Sequence, residues 1–406
     1  MRAYISREIE RTIDHMLTQG KVVLVTGARQ VGKTTVIKEH LGDRFNYVSM
    51  EDPIAFNQAQ SDALLFFDMH ELPLIIDEVQ RAPELFSTIK FVVDESEEKG
   101  RVVLTGSQTY HLMKGVSESL AGRIRILEMS GLSLRELAGD VDNPHPYIPK
   151  KVERSGEDAM SGSDLWETIH RGSLPELQDP DIDWSSFYAD YVRSYLERDV
   201  RDLVNVKDED RFYRFMVACA ARSGQLFNAS DIGDAVDADH KTVESWLSIL
   251  QASGVVRIVR PFWPNVEKRL TKMPKIYFMD TGLVCYLTRW TTAEQLRCGA
   301  AAGHVFETFA ASEVLKSYMN AGADPRDVWF YRDNRRREID LVIQDGRTLH
   351  PVEIKAGMQI RPEAVKNFNV LGEFSDYEVG FGHVICQTRE PYLVTRDVQA
   401  VPVQAI

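Results

Sequence analysis

The run KVVLVTGARQVGKTT, residues 21–35, carries the spacing G-x-x-x-x-G-K-T at Gly27, Gly32, Lys33 and Thr34. Glycines so spaced let backbone N–H groups approach phosphate oxygens without Cβ clashes, and a helix starting behind them adds partial positive charge. Lys33 is expected to reach the terminal phosphates and the Thr34 hydroxyl to ligate magnesium. Ala28, Arg29, Gln30, Val31 and Thr35 complete the expected phosphate-binding set. A second run, LPLIIDEVQ, is apolar and ends in two acids. Asp77 is expected to hold the magnesium through water, and Glu78 to orient or deprotonate the attacking water. The chemistry implied is ATP binding and hydrolysis, with ATP and Mg2+ as cofactors. A third run, RVVLTGSQ, ends in Ser107 and Gln108. Ligands bind at the carboxyl ends of parallel strands, so these two are candidates to sense the γ-phosphate. Arg123, just before IRILEM, has two readings: contact with a neighbouring subunit's γ-phosphate in an oligomer, or a local surface ion pair. Arg29, inside the phosphate loop, is also ambiguous.

Far downstream, REIDLVIQDGRTLHPVEIKAG covers residues 337–357. EIDLVI and PVEIK read as strands, and the intervening Asp-Gly is a hairpin signal. Side chains alternate along a strand, so Glu338 and Asp340 share one face, as do Glu353 and Lys355. Pairing the strands can bring Asp340 beside Glu353 and Lys355. Two carboxylates with a lysine nearby can hold magnesium and orient a water. The alternative is a sheet used only for packing or DNA binding. Arg332, Arg335, Arg336 and Arg337 precede the first strand and suit either phosphate contact or a charged sheet edge.

These residues need a scaffold. Strands and helices alternate through residue ~130, which implies an α/β domain with a doubly wound parallel sheet, the P-loop NTPase arrangement. Residues 141–162 are rich in Pro, Gly, Ser and charge and read as a linker. Residues 185–204 give a helix: Tyr188, Tyr191, Val192, Tyr195, Leu196 and Val200 recur at three and four, opposite a charged face. Residues 206–262 read as a helix-turn-helix with a wing. NASDIGDAV is a capped helix with Ser230 or Asp231 near its start, and DADHKTVESWLSILQASG is a second helix followed by the strand VVRIVRPF. His240, Lys241 and Thr242 sit where base or phosphate contacts would fall. Arg257, Arg260, Lys268, Arg269, Lys272 and Lys275 make this stretch basic, either for DNA or as a packing module's surface. Trp246, Leu247 and Leu250 read as core. The expected domains are 1–140 for nucleotide binding, 141–205 for linker and helical lid, 206–275 for a winged helix, and 276–406 for a C-terminal α/β unit.

Length and composition bound the rest. With 406 residues, 44% hydrophobic and 27% charged, the chain is a multidomain globular protein. No apolar run spans a membrane, and MRAYISREIERTIDHML reads as an amphipathic helix without a signal-peptide core, so the expected location is the cytoplasm. The four cysteines have no paired spacing, which argues against disulfides and zinc. A net charge of −13 requires any DNA contact to come from a local basic patch.

GARQVGKTT, LIIDEVQ, LTGSQ and LAGR, in this order, resemble the bacterial and archaeal AAA+-like ATPases related to the STAND group, whose C-terminal part is a domain of unknown function. RGSLPEL, YLERDVRDL, KIYFMDTGL and REIDLV…VEIK extend the resemblance over nearly the whole chain. The resemblance implies ATP binding, hydrolysis and a DNA-related or regulatory role. The spacing D-x(12)-E-x-K also resembles the PD-(D/E)xK nuclease superfamily, with Ile339 where the pattern has proline. In that superfamily an acid on a preceding helix completes the metal site; the matching position in GHVFETFAASEVLKSYM is Glu307. The implied metal ligands there are Glu307, Asp340 and Glu353, with Lys355 catalytic. The expectation is an ATPase coupling nucleotide state to DNA binding or metal-dependent DNA processing. The rivals are a non-nucleolytic regulatory switch and a homo-oligomeric ATPase acting on protein partners.

Overall fold

The computed structural model describes residues 4–106, 119–153, 162–195, 209–265, 267, 269 and 272–406. The expectations for Ser107, Gln108, Lys268 and the helix beyond Tyr195 therefore lie outside the described residues.

The nucleotide half is built on five parallel strands, β1 (Val22–Gly27), β2 (Asn46–Ser49), β3 (Leu74–Asp77), β4 (Val102–Gly106) and β5 (Ile124–Met129), in the order β2-β3-β4-β1-β5. Alternation decides which face each side chain serves. Val23, Val25, Ile75 and Val103 enter one core, while Val22, Leu24, Leu74, Ile76, Val102 and Leu104 enter the other. Both faces of the central strands β1, β3 and β4 are covered, so these read as largely apolar runs, while the edge strands β2 and β5 carry exposed residues. Among the described residues the helices are α1 (Ile9–Gln19), α2 (Lys33–Leu41), α3 (Pro53–Ser61), α4 (Ala63–Met69), α5 (Leu85–Asp94) and the short α6 (Leu134–Leu137). The amphipathic pattern at the N-terminus begins later than expected: Arg7 and Glu8 precede α1 and are buried.

Next come α7 (Gly162–Arg171) and α8 (Trp184–Tyr195). A small unit follows, with α9 (Glu209–Ala220), β6 (Gln225–Leu226), α10 (Ala229–Val236), α11 (His240–Ala252), β7 (Val256–Val259) and β8 (Lys275–Phe278). Its antiparallel strands run β6-β8-β7. Asn228 caps α10, accepting from the N–H of Ser230 at 3.0 Å, and Asp239 caps α11, accepting from Thr242 at 2.8 Å. Trp246 and Leu250 are core residues of this unit, and Leu247 packs against them.

The C-terminal part has α12 (Thr281–Leu287), α13 (Ala293–Cys298) and α14 (Ala302–Asn320). Its mixed sheet contains β9 (Val328–Arg332), β10 (Glu338–Asp345), β11 (Thr348–Ile354), β12 (Glu378–Val379), β13 (Gly382–Cys386), β14 (Tyr392–Thr395) and β15 (Val398–Pro402). The order is β14-β15-β13-β11-β10-β9, with β12 beside β11. β10 and β11 form the expected hairpin, and Gly346 supplies its positive φ of 58°. The small unit is stitched to this sheet where Phe262 donates to the Phe330 carbonyl and Phe330 donates to that of Arg260. Residues 141–153 form no regular element, but they are packed rather than loose. Tyr147 is buried, its N–H donates to the Ser317 hydroxyl, and Val152 exchanges two hydrogen bonds with the Gln399 amide.

Candidate nucleotide site and carboxylate cluster

The loop after β1 turns through three left-handed residues, Gly27 (φ 142°), Gln30 (φ 59°) and Gly32 (φ 92°). A Cβ on Gly27 would lie 2.1 Å from the Met129 carbonyl oxygen, so only glycine lets the loop leave β1 against β5. Gly32 precedes α2 and no side chain caps that helix, whose first N–H groups and dipole suit an anion. The Lys33 ammonium donates to the carbonyls of Gly27 at 3.1 Å and Ala28 at 2.7 Å. Thr34 Oγ1 lies 3.1 Å from Asp77 Oδ1 at the end of β3. A hydroxyl and a carboxylate side by side are the hard oxygen donors magnesium takes, so these residues fit the ion. Asp77 also accepts from the hydroxyls of Tyr47, at 2.7 Å, and Thr105. Burial and Asp77 push the Tyr47 phenol upward, which keeps it a donor.

Glu78 adopts φ 54° and ψ 41°, a conformation unusual for a side-chain-bearing residue, and accepts from the Gln80 amide. It lines a cavity of about 250 Å³ with Arg29, Gln30, Gly32, Lys33 and Thr34. An adjoining cavity of about 400 Å³ lies beyond Gly32 and Thr35, against Tyr4, Ile5 and Arg7. Val31 is buried, and its carbonyl accepts from Arg7 at 2.9 Å. Arg123 is not brought to this site. Its carbonyl bonds to the start of β1, at the end opposite the loop, and its guanidinium pairs with Asp94 at 2.6 Å.

At the other end of the chain the hairpin register pairs Leu341 with Val352 and sets Asp340 against Glu353 and Ile354. Asp340 Oδ2 accepts from the Ile354 N–H at 2.9 Å, and the Lys355 ammonium sits 2.6 Å from Glu353 and 3.5 Å from Asp340. Glu307, on α14, joins the same cluster. The gap between these acids is filled by a residue that sequence spacing did not single out for it. The Lys275 ammonium, from β8, lies 2.9 Å from Glu307, 2.9 Å from Glu338 and 3.7 Å from Asp340. Tyr277 also donates to Glu307, at 2.9 Å. Burial opposes the Lys275 charge, but Tyr277 and the three acids outweigh it and hold the ammonium well above the usual lysine range. Burial and Asp340 push the Glu353 carboxyl up to about 8, against the pull of Lys355. The arrangement fits an ammonium rather than a metal. Among the described residues, no three His, Cys, Asp or Glu side chains are disposed to hold an ion.

The basic stretch is largely spent inside the molecule. Lys275 is buried, Arg257 pairs with Glu128, Arg269 stacks on Phe262 and Trp329, and Lys272 sits over the Trp263 ring. Arg260, His240 and Lys241 remain exposed, as do Arg335 and Arg336 in the β9–β10 turn. Arg337 is tied to Asp333 and Glu373.

Residues 19–138 match the AAA domain. This stretch is similar to AAA-type P-loop domains. Residues 162–294 and 302–406 each match a domain of unknown function, DUF8612 and DUF4143. Uncharacterised proteins of Mycobacterium tuberculosis and Mycobacterium bovis are each 27% identical over 353 residues, covering 86% of this chain and 73% of the relative. Among solved structures, a Walker-type ATPase of Pyrococcus abyssi aligns over 70% of this chain and 96% of its own, at 15% identity and a TM-score of 0.43. The Holliday junction branch migration motor RuvB of Thermotoga maritima aligns over 62% and 89%, at 18% identity and a TM-score of 0.29.

The AAA domain is bound to the rest of the chain at its phosphate loop. Gly254, in the turn between α11 and β7, lies against Ala28: a Cβ there would be 3.2 Å from the Ala28 nitrogen. Arg7 joins Val31 to the Ser130 carbonyl and to Glu136, and Glu136 accepts from the Glu8 N–H. Glu8 then accepts from Asn320 on α14, at 2.9 Å. Glu313 and Lys316, on the same helix, bond to Leu134 N–H and Leu132 carbonyl.

Proposed function

We propose that the chain is a magnesium-dependent ATPase whose nucleotide state is passed mechanically from the phosphate loop to its C-terminal half. The observation that carries this reading is the contact of Gly254 with Ala28, a residue of the phosphate loop itself. Phosphate oxygens would draw the Lys33 ammonium from the Gly27 and Ala28 carbonyls, and the loop N–H groups would turn toward them. Thr34 and Asp77 would hold magnesium, which when bound neutralises phosphate charge. Glu78 would release Gln80 and take the proton of the attacking water. The adjoining cavity against Tyr4 and Ile5 suits the base. Any part for Arg123 would be toward a second copy's nucleotide, because it lies at the far end of β1 from this chain's loop.

The test is phosphate release, together with amide exchange over residues 250–258. The wild type is expected to release phosphate. Lys33→Ala should lose nucleotide binding, while Glu78→Gln should keep it and slow turnover by about 10²–10⁴-fold. Exchange near Gly254 should differ between ADP and an ATP analogue. Identical exchange in both would sink the coupling, and no turnover would sink the ATPase.

DNA is the favoured macromolecular partner, in keeping with reading 206–275 as a winged helix beside a 276–406 nuclease-like unit. Exposed Arg260, Arg335 and Arg336 support it, next to a cavity of about 330 Å³ lined by Arg332 and Lys272. Binding that weakens with salt, and less steeply in Arg335→Ala/Arg336→Ala, would bear it out. DNA cleavage through Glu307, Asp340 and Glu353 is the less favoured reading, because Lys275 stands among the acids.

A further inference from the structure

We propose that Lys275 is a built-in cation standing where a divalent metal would otherwise sit, so that the C-terminal carboxylates bind no metal while β8 is in place and become a metal site when that ammonium is removed.

The case begins with charge. Glu307, Glu338, Asp340 and Glu353 come from α14, β10 and β11 and converge where Asp340 and Glu353 are buried and Glu307 and Glu338 are partly buried. Carboxylates gathered away from water require a compensating cation. Lys275 supplies one from a different unit of the chain, with its side chain only 3% exposed. The Lys355 ammonium is different: its side chain is 43% exposed and it reaches the cluster from the rim.

Distances favour an ammonium. Carboxylate oxygens of Glu307 and Glu338 are 2.9 Å from Lys275 Nζ, the length of a charge-assisted hydrogen bond. Magnesium would draw oxygens in to about 2.1 Å. Two of the oxygens have a further partner as well. Glu307 Oε1 also takes the Tyr277 hydroxyl, and Asp340 Oδ2 takes the Ile354 N–H. A metal entering this cluster would have to displace Lys275, and Lys275 is anchored in β8 by pairing with Leu226 and Val259. Removing only the charge, as in Lys275→Met, leaves hard oxygen donors with no central cation. That is the composition a divalent ion selects.

The proposal does not depend on nucleotide binding and is tested without nucleotide. Full-length protein is titrated with Mn2+, and free Mn2+ is read by electron paramagnetic resonance. Wild type and Asp340→Asn are expected to take up Mn2+ identically. Lys275→Met should gain one site per chain, at least tenfold tighter than any wild-type uptake, and Lys275→Met/Asp340→Asn should lose it. Lys275→Gln serves if the Met variant does not fold. Wild-type uptake that disappears in Asp340→Asn would overturn the proposal, as would a folded Lys275→Met chain that takes up no additional Mn2+. Should neither Lys275 variant fold, the comparison of wild type with Asp340→Asn still decides whether the native cluster admits a metal.

Discussion

Asp77 accepts from three hydroxyls, those of Thr34, Tyr47 and Thr105. The Thr34 hydroxyl is the one expected to turn toward magnesium. With Thr105 on Oδ1, Tyr47 then becomes the group that holds Oδ2 of the carboxylate. It is about one-third exposed, so losing its hydroxyl leaves the core intact. Tyr47→Phe is therefore expected to fold normally, bind nucleotide and need several-fold more Mg2+ for half-maximal turnover, as loss of one hydrogen bond to a charged group implies. A magnesium titration of phosphate release checks this; an unchanged requirement would remove Tyr47 from the site. Residue-scale legibility followed locality. Gly27, Gly32, Lys33, Thr34, Asp77 and Glu78 were legible because phosphate chemistry fixes their types within short runs. Tyr47 and Thr105 were not, because only strand order brings β2 and β4 beside β3. Lys275 was misread as part of a basic surface, since nothing around it in sequence announces four acids from residues 307–353.

Among the elements, the turn between α11 and β7 has the sharpest geometric demand. Gly254 has φ 71°, and its missing Cβ is what allows the Ala28 nitrogen to approach. Gly254→Ala should cost about 1–2 kcal/mol from the left-handed backbone alone. It should also press on the phosphate loop and weaken nucleotide binding. Gly346→Ala separates the two effects, because Gly346 has a similar φ of 58° and nothing within 4 Å of the added Cβ. Both variants should lower the unfolding midpoint, and only Gly254→Ala should change the nucleotide Kd. Equal Kd values in all three proteins would mean that the turn merely rests on the loop. The helix-turn-helix reading of the sequence located α11 and the strand after it, and the nuclease resemblance pointed to the helix of Glu307. It did not reveal that α14 is buried from Thr308 to Asn320. Glu313, Lys316 and Asn320 look like a solvated helix face until their partners at residues 8, 132 and 134 are known.

At the scale of the molecule, the segment 141–153 is a strap across the C-terminal unit, although its composition reads as a mobile linker. Its polarity is misleading because Tyr147 is buried and backbone groups of the strap are satisfied by Ser317, Gln399 and His383. His383 is the titrating element of this attachment. Its Nδ1 lies 2.6 Å from the Tyr147 hydroxyl and its Nε2 lies 2.8 Å from the Lys150 carbonyl. Those partners suit a neutral ring with the proton on Nε2, donating to the carbonyl and accepting from the phenol. Burial pushes the His383 pKa down to about 4, with His350 adding to the effect and the Lys150 carbonyl opposing it. The unfolded chain thus binds a proton near pH 6.5 that the folded chain refuses until about pH 4. The contribution of neutral His383 is full above that window and falls as pH drops from 6.5 toward 4, by up to about 3 kcal/mol. Denaturation midpoints measured from pH 7.5 to 4.5 should therefore decline more steeply in the wild type than in His383→Gln. The variant should be the less stable protein at neutral pH and should lose that disadvantage progressively on acidification. Parallel declines would mean that His383 charges freely in the folded state, and the strap would then be held by Tyr147 and Gln399 without it.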